Sequence, residues 1–428
     1  MKKFLLPFLC LGTLSIFAQN IDSLKQVLQT NLSDTARLGI YKFILTKTSD
    51  ANVKAEYGEL TYKLAKSKLN ENPTGDLKKR YSDFMAYALN ARGEVNWDKN
   101  KPLECFHNFR DAEKYCAESG NESLKASLAN NLAVIYDYFG DSQHSIESYV
   151  KAMHVFEKDK DVPALADANY NMGLLYADMG NLSKTEECYT QALKYYRTLD
   201  KADMVAEMEN GLGGVYYKEG NIQRSVEFYE MALKTGEASK DKKSIAITKN
   251  KLAKIYQDQK KFDEAAAYYN QSLKLLEELK DEPGQATLLR NVATLYMDQN
   301  NVKMAEQCAR RALALAQQIK SFANIRDEAE MLCKIYNSQN KTTQAPAMCA
   351  LFATMNDSIK NEDARKTARF VAFKEEYDKY NAQEKKNAQA ENAEVKKEEG
   401  AGSKTIYIAI AGVLVVAGAG WLIARRKK

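Results

Sequence analysis

Histidine and proline are scarce in this chain: three histidines and six prolines in 428 residues. None of His107, His144 and His154 stands at ligand spacing to a cysteine or carboxylate, so no metal centre is expected. Glycine-rich phosphate loops and nucleophile motifs are missing. The run Gly211-Leu212-Gly213-Gly214 lies inside a helical pattern, and the scattered carboxylates need no catalytic reading. No catalytic constellation, no metal and no cofactor are therefore expected. The period-two alternation of half-buried strands is also lacking, because nearly every apolar run repeats at three to four residues. Net charge is small where it matters. Six of the 62 basic residues (Lys2, Lys3, Arg425, Arg426, Lys427 and Lys428) lie at the two ends, which leaves 56 against 57 acidic residues between them. That balance argues against nucleic acid as a partner, which needs a basic face.

What the chain does have is a period. Tyr136, Tyr176, Tyr216, Tyr256, Tyr296 and Tyr336 stand 40 residues apart with no insertion. Three residues before each is a small side chain: Ala133, Gly173, Gly213, Ala253, Ala293 and Cys333, with Gly93 in the same phase one unit earlier. Four residues after it comes a turn former, Gly140, Gly180, Gly220, Asn300 or Asn340, with Lys260 as the exception. A ring recurs in another phase at Phe109, Tyr149, Tyr189, Tyr229 and Tyr269, and Ala309 and Cys349 replace it later. Small residues follow three positions beyond: Ala112, Ala152, Ala192, Ala232, Ser272 and Ala312. The pattern reads as helix, tight turn, helix, with small residues where helices cross closely. Pro163 and Pro283 are expected in loops between units, where a helix must stop. The fold class is all-α, a helical solenoid.

These residues resemble the tetratricopeptide repeat (TPR) family in a 40-residue variety longer than the common 34-residue unit. The resemblance covers Tyr87 to Asn361 and implies a right-handed superhelix whose first helices line a concave groove that binds extended peptides. A worn earlier unit is expected, with helices over 35–48 and 51–69.

The two ends carry different signals. Residues 1–18 have a charged start, an apolar stretch from Phe4 to Ile16 and Ala18 as a cleavage residue, the pattern of a secretory leader. Cys10 belongs to that leader. Thr405 to Ala424 is 20 residues without charge, followed by four basic ones, with Tyr407 and Trp421 near its ends. It is long enough to span a bilayer core of ~30 Å. The expected layout is therefore a leader (1–18), N-terminal helices with one divergent repeat (19–86), the repeats (87–361), a charged helix and stalk (362–404), a transmembrane helix (405–424) and a basic cytoplasmic tail (425–428). Phe370, Phe373, Tyr377 and Tyr380 step by three and four, as in a short coiled-coil seam or a capping helix. The location expected is the bacterial inner membrane, single-pass, with the repeats in the periplasm. This layout is similar to the extracytoplasmic half of membrane-bound TPR sensor kinases and regulators, without a cytoplasmic output domain after Lys428.

Six cysteines remain after the leader: Cys105, Cys116, Cys188, Cys308, Cys333 and Cys349. Cys105 and Cys116 are too far apart along one helix to bridge. Buried free thiols are expected, with Cys333 and Cys349 as the one pair worth checking.

Two columns on the first helices are candidate ligand contacts. Asn90, Asn130, Asn210 and Asn250 share one phase, and Asn131, Asn171 and Asn291 share the next. A side-chain amide offers donor and acceptor, so such a row can grip a peptide backbone; asparagine is also simply common at the second phase in such repeats. Asp178, Asp258 and Asp298 share a third phase, interrupted by Lys218. Negative charge there opposes the helix dipole, so a basic ligand is one reading and a solvated edge the other. The expected function is a membrane-anchored scaffold binding a protein or peptide. The alternative is a sensory subunit that passes ligand binding through its stalk to a partner membrane protein.

Overall fold

The computed structural model describes residues 21–365, 367–383 and 386. The leader, the span, the basic tail and most of the stalk lie outside the described residues. Among the described residues no helix is long and apolar enough to cross a membrane. There are no strands among them either.

The described residues fall into two compact units, divided after Ala364. In the first, the helices are α1 (Ile21–Val27), α2 (Asp34–Lys47), α3 (Ala51–Leu69), α4 (Gly75–Asp98), α5 (Pro102–Ser119), α6 (Glu122–Tyr138), α7 (Ser142–Asp159), α8 (Val162–Asp178), α9 (Leu182–Thr198), α10 (Ala202–Lys218), α11 (Ile222–Ser239), α12 (Lys242–Asp258), α13 (Phe262–Glu278), α14 (Glu282–Asp298), α15 (Val302–Gln318) and α16 (Phe322–Ser338). A last helix covers residues 344–365. In the second unit residues 367–383 are helical, and the Phe373 ring stacks on Tyr377 with centroids 6.3 Å apart.

From α2 to α16 each helix packs on its neighbours in sequence. The even-numbered helices also touch each other from unit to unit more closely than the odd-numbered ones do. They therefore form the inner face of the solenoid, and α5, α7, α9, α11, α13 and α15 form the outer face.

The turns repeat at 20 residues, half the sequence period. Asn100, Gly120, Gly140, Lys160, Gly180, Asp200, Gly220, Lys240, Lys260, Lys280, Asn300, Lys320 and Asn340 all have positive φ. Each ends a helix in the left-handed region. At Gly140, Asp141 N–H donates to the Tyr136 carbonyl at 2.8 Å and Gly140 N–H donates to that of Asp137 at 2.8 Å. Lys260 is not an exception after all. It adopts φ 60°, and Lys261 and Lys260 donate to the Tyr256 and Gln257 carbonyls in the same way. The next residue starts the following helix. Asn121, Asp141, Asp161, Asn181, Asn221, Asp241, Asp281, Asn301 and Ser321 each accept a backbone N–H of that helix through the side chain. Such a cap contributes about 1 kcal/mol. Pro163 and Pro283 correct the expectation of loops: they sit in the first turns of α8 and α14, where a missing N–H costs nothing.

Within a unit, the small slot and the ring are one device, 16 residues apart. A Cβ on Gly93 would come 2.3 Å from the Phe109 ring, one on Gly173 2.4 Å from Tyr189, and one on Gly213 2.6 Å from Tyr229. Ala133 packs in one cluster with Tyr149, and Ala253 in another with Tyr269. In the last pair both positions are cysteine, and Cys333 and Cys349 form a disulfide with Cα atoms 5.1 Å apart. The expectation of free thiols is corrected at this pair, the one singled out in the sequence for checking. Cys105, Cys116, Cys188 and Cys308 are free, and burial pushes the Cys105 and Cys116 thiols up to about 12.

The last first-helix, α16, buries a carboxylate. Glu328 is fully buried, and neither side-chain oxygen has a hydrogen-bond partner. The Arg290 guanidinium approaches Oε1 only to 3.9 Å and is bonded to Asp327. Burial raises the Glu328 carboxyl to about 8. A folded-state pKa above the unfolded value favours folding below the unfolded pKa, and that contribution is lost as pH rises through the folded one. Thermal stability is therefore expected to fall between about pH 4.5 and 8, with a slope of at most about 1.4 kcal/mol per pH unit from this group. Glu328→Gln should flatten the profile measured by circular dichroism melts. An unchanged slope in that variant would assign the dependence elsewhere.

Candidate functional site

The candidate columns lie on the inner helices, and much of their hydrogen-bonding capacity is spent between units. Asn131 Nδ2 donates to Asn90 Oδ1 at 3.2 Å, and Asn291 Nδ2 donates to Asn250 Oδ1 at 2.9 Å. Asn90 also donates to Glu94 at 2.9 Å. Asn210 Oδ1 accepts from Thr248 at 3.0 Å. The inter-helix bonds among them are rungs that tie α6 to α4, α12 to α10 and α14 to α12. Asn130 Oδ1 is buried without a partner, and Asn171, one rung further on, is half-buried.

The acidic column works the same way. Each member meets the residue 41 positions earlier. Asp258 accepts from the Tyr217 hydroxyl and pairs with Lys254 at 2.7 Å. Asp298 accepts from Gln257 Nε2 at 2.6 Å, and buried Gln257 accepts in turn from Tyr269 at 2.9 Å. Tyr138 meets Trp97 edge-on with centroids 5.3 Å apart. Asp178 faces Asp137, whose carboxyl is raised first by burial and then by that like charge. These contacts supply a structural reason for acids at helix C-termini that the sequence alone did not show.

Two of the grooves on the inner face bear on the candidate columns. The first, about 770 Å³, is lined by Tyr87, Asn90, Asn130 and Asn131 together with Glu94, Asp159, Asp161 and Asp167. Its one lysine, Lys54, pairs with Glu94 at 2.6 Å. The second, about 560 Å³, lies across α8, α10 and α12. Asn210 lines it; Asn171, Asn250, Asn291 and the three acids line neither groove.

The second groove exists because of Gly214. Gly211 and Gly213 are required by packing: Cβ atoms there would come 2.8 and 2.6 Å from the Tyr189 and Tyr229 rings. Gly214 is not so required. A Cβ on it would meet only the Tyr229 hydroxyl, at 3.7 Å. One unit earlier the same phase holds Leu174 and one unit later Lys254. A helix-interior glycine costs about 0.5–1 kcal/mol relative to alanine, and here the folded core does not demand it. Its bare surface opens the groove between Leu174 and Ile247, apolar side chains that are 41% and 40% exposed. Sequence reasoning missed Gly214 because it sits beside Gly213, which the repeat explains. Among the described residues no three histidine, cysteine or carboxylate side chains are grouped to hold a metal.

Residues 164–238 and 244–318 match the tetratricopeptide repeat model. Over these residues the chain is similar to tetratricopeptide repeat proteins. Solved structures of similar fold include the apo form of the quorum sensor NprR from B. thuringiensis, at 16% identity and TM-score 0.59, covering 78% of this chain and 91% of that one. A signal-transduction ATPase with a tetratricopeptide repeat sensor from Pyrococcus horikoshii is similar at 15% identity and TM-score 0.57, covering 78% of this chain and 55% of that one. The apo form of RapI is similar at 15% identity and TM-score 0.53, covering 64% of this chain and 99% of that one. At these identities the likeness is one of fold. No curated protein matches the sequence.

Gly213 and Gly214 should respond oppositely to the same substitution. Gly214→Ala should stabilise the fold by about 0.5–1 kcal/mol, whereas Gly213→Ala should destabilise it by about 1–3 kcal/mol by overpacking. Urea unfolding checks both. Equal effects of one sign would remove the distinction between a packing glycine and a groove glycine.

Proposed function

We propose that the protein is an extracytoplasmic scaffold, anchored by residues 405–424, that holds a protein or peptide partner against the inner face of its repeats. The observation that carries this reading is the groove at Gly214, a concave surface of uncommitted polar and apolar groups where the fold itself calls for none. Within it the Asn210 amide keeps a free donor for a ligand backbone, and along the rest of the inner face the Asn250 amide and the Asn131 and Asn291 carbonyls supply further backbone contacts. The apolar, charge-free stretch from Thr405 to Ala424 supports the anchor, and the leader-like residues 1–18 support export with the repeats on the periplasmic side.

Gly214→Trp fills the groove from a position that packing leaves open, and Val150→Glu alters the outer face. After cross-linking in membranes, quantitative mass spectrometry should show partners depleted at least tenfold by Gly214→Trp and unchanged by Val150→Glu. Equal retention by both folded variants would move the binding site off the inner face. In the same preparation, a chain lacking residues 405–428 should leave the membrane fraction in soluble form.

A further inference from the structure

The geometry points to a ligand of defined chemistry in the groove across α8, α10 and α12: a peptide segment with an apolar side chain flanked by carboxylates. This rests on the inner face being the binding surface and goes on to name what it selects.

Three lysines line this groove, Lys218, Lys243 and Lys251, and all three are exposed. None makes a salt bridge, although 15 other lysines among the described residues do. The groove also holds three acids, Asp203, Glu207 and Asp241, so its formal charge is zero. Two of these acids are already engaged. Asp241 caps its own helix, accepting from the N–H groups of Lys243 and Ser244 at 3.0 and 3.2 Å. Glu207 accepts from the Tyr170 hydroxyl at 2.6 Å. The lysine ammonium groups have no such commitments, and each retains three donors for an incoming carboxylate. Charge-assisted bonds of that kind are the strong ones.

The apolar part of the site lies between them. Gly214 leaves a gap bounded by Leu174 and Ile247, large apolar side chains held exposed on the inner face with no core to enter. A ligand side chain such as leucine would bury their surface, and its flanking carboxylates would lie within reach of the long lysine stems. The neighbouring groove at Asn90 has the opposite character, with four carboxylates and one lysine already paired. An acidic segment is therefore directed to the Gly214 groove and repelled by its neighbour. The basic ligand considered from Asp178, Asp258 and Asp298 is not supported by this site, because those acids do not line it.

The test uses the full chain in mild detergent and three fluorescent pentapeptides. Each has a central leucine, flanked on both sides by glutamates, by glutamines or by lysines. The glutamate peptide should bind at least tenfold more tightly than the other two, and its affinity should fall as salt rises. Lys218→Glu combined with Lys251→Glu should weaken it at least tenfold, and Gly214→Leu should do the same without added charge. Lys194→Glu, on the outer helix α9, should leave it unchanged. Equal binding of the glutamine or lysine peptide, absence of glutamate-peptide binding, or indifference to the paired reversal would overturn the inference. If Gly214→Trp still strips partners from membranes in that case, the groove remains the binding surface and only the ligand chemistry falls.

Discussion

The structure depends on one contact: a ring on the outer helix entering a slot on the inner helix that has no room for a side chain. The approach of the Phe109, Tyr189 and Tyr229 rings to Gly93, Gly173 and Gly213 fixes how closely the two helices of a unit cross. Because helix length and turn are constant, the same contact recurs at the same height in each unit. Where the ring is lost the chain compensates in two ways. At Ala293 and Ala309 two small residues let the backbones approach, within a cluster completed by Leu313, Leu332 and Ile335. At Cys333 and Cys349 a covalent bond replaces packing altogether. A cross-link closing a loop of this length contributes about 3 kcal/mol by the chain-entropy account. It falls in the last pair, whose outer helix has no following unit of the repeat to pack against.

The inner face does two jobs with one set of residues. Rungs such as Asn131 to Asn90, Asn291 to Asn250 and Gln257 to Asp298 hold successive inner helices in register. Asn131, Asn250 and Asn291 each use one side of the amide in these rungs and leave the other for a ligand, whereas Asn90 and Gln257 use both. Binding chemistry on such a surface is assembled from what the rungs do not consume. That is why the position that stands out is Gly214, where there is no side chain to share.

The 40-residue tyrosine period made the all-α solenoid legible in the sequence, and the ring and small-residue columns marked which faces meet. The 20-residue period of the turns was hidden, because lysine and asparagine take the same left-handed conformation as glycine at eight of the thirteen sites. The disulfide was legible only as a candidate pair. Its two cysteines were visible in the small column and the ring column, but only the 16-residue pairing of those columns shows that they touch. The asparagine and aspartate columns were visible as phases. Their bonding to residues 41 positions away depends on how far one unit rotates on the next, which no single helix pattern encodes.

The account stands or falls on the ring-in-slot contact, and a double-mutant cycle at Gly173 and Tyr189 measures it. Gly173→Leu should destabilise the chain severely because the new side chain meets the Tyr189 ring. Tyr189→Ala alone should cost about 3–5 kcal/mol by loss of a buried aromatic. Combined, the two should cost less than their separate effects by about 1–3 kcal/mol, since the leucine then enters the space the ring vacated. Additive costs in urea unfolding would show that the two positions do not share one space, and the repeat would need another explanation for its small residues.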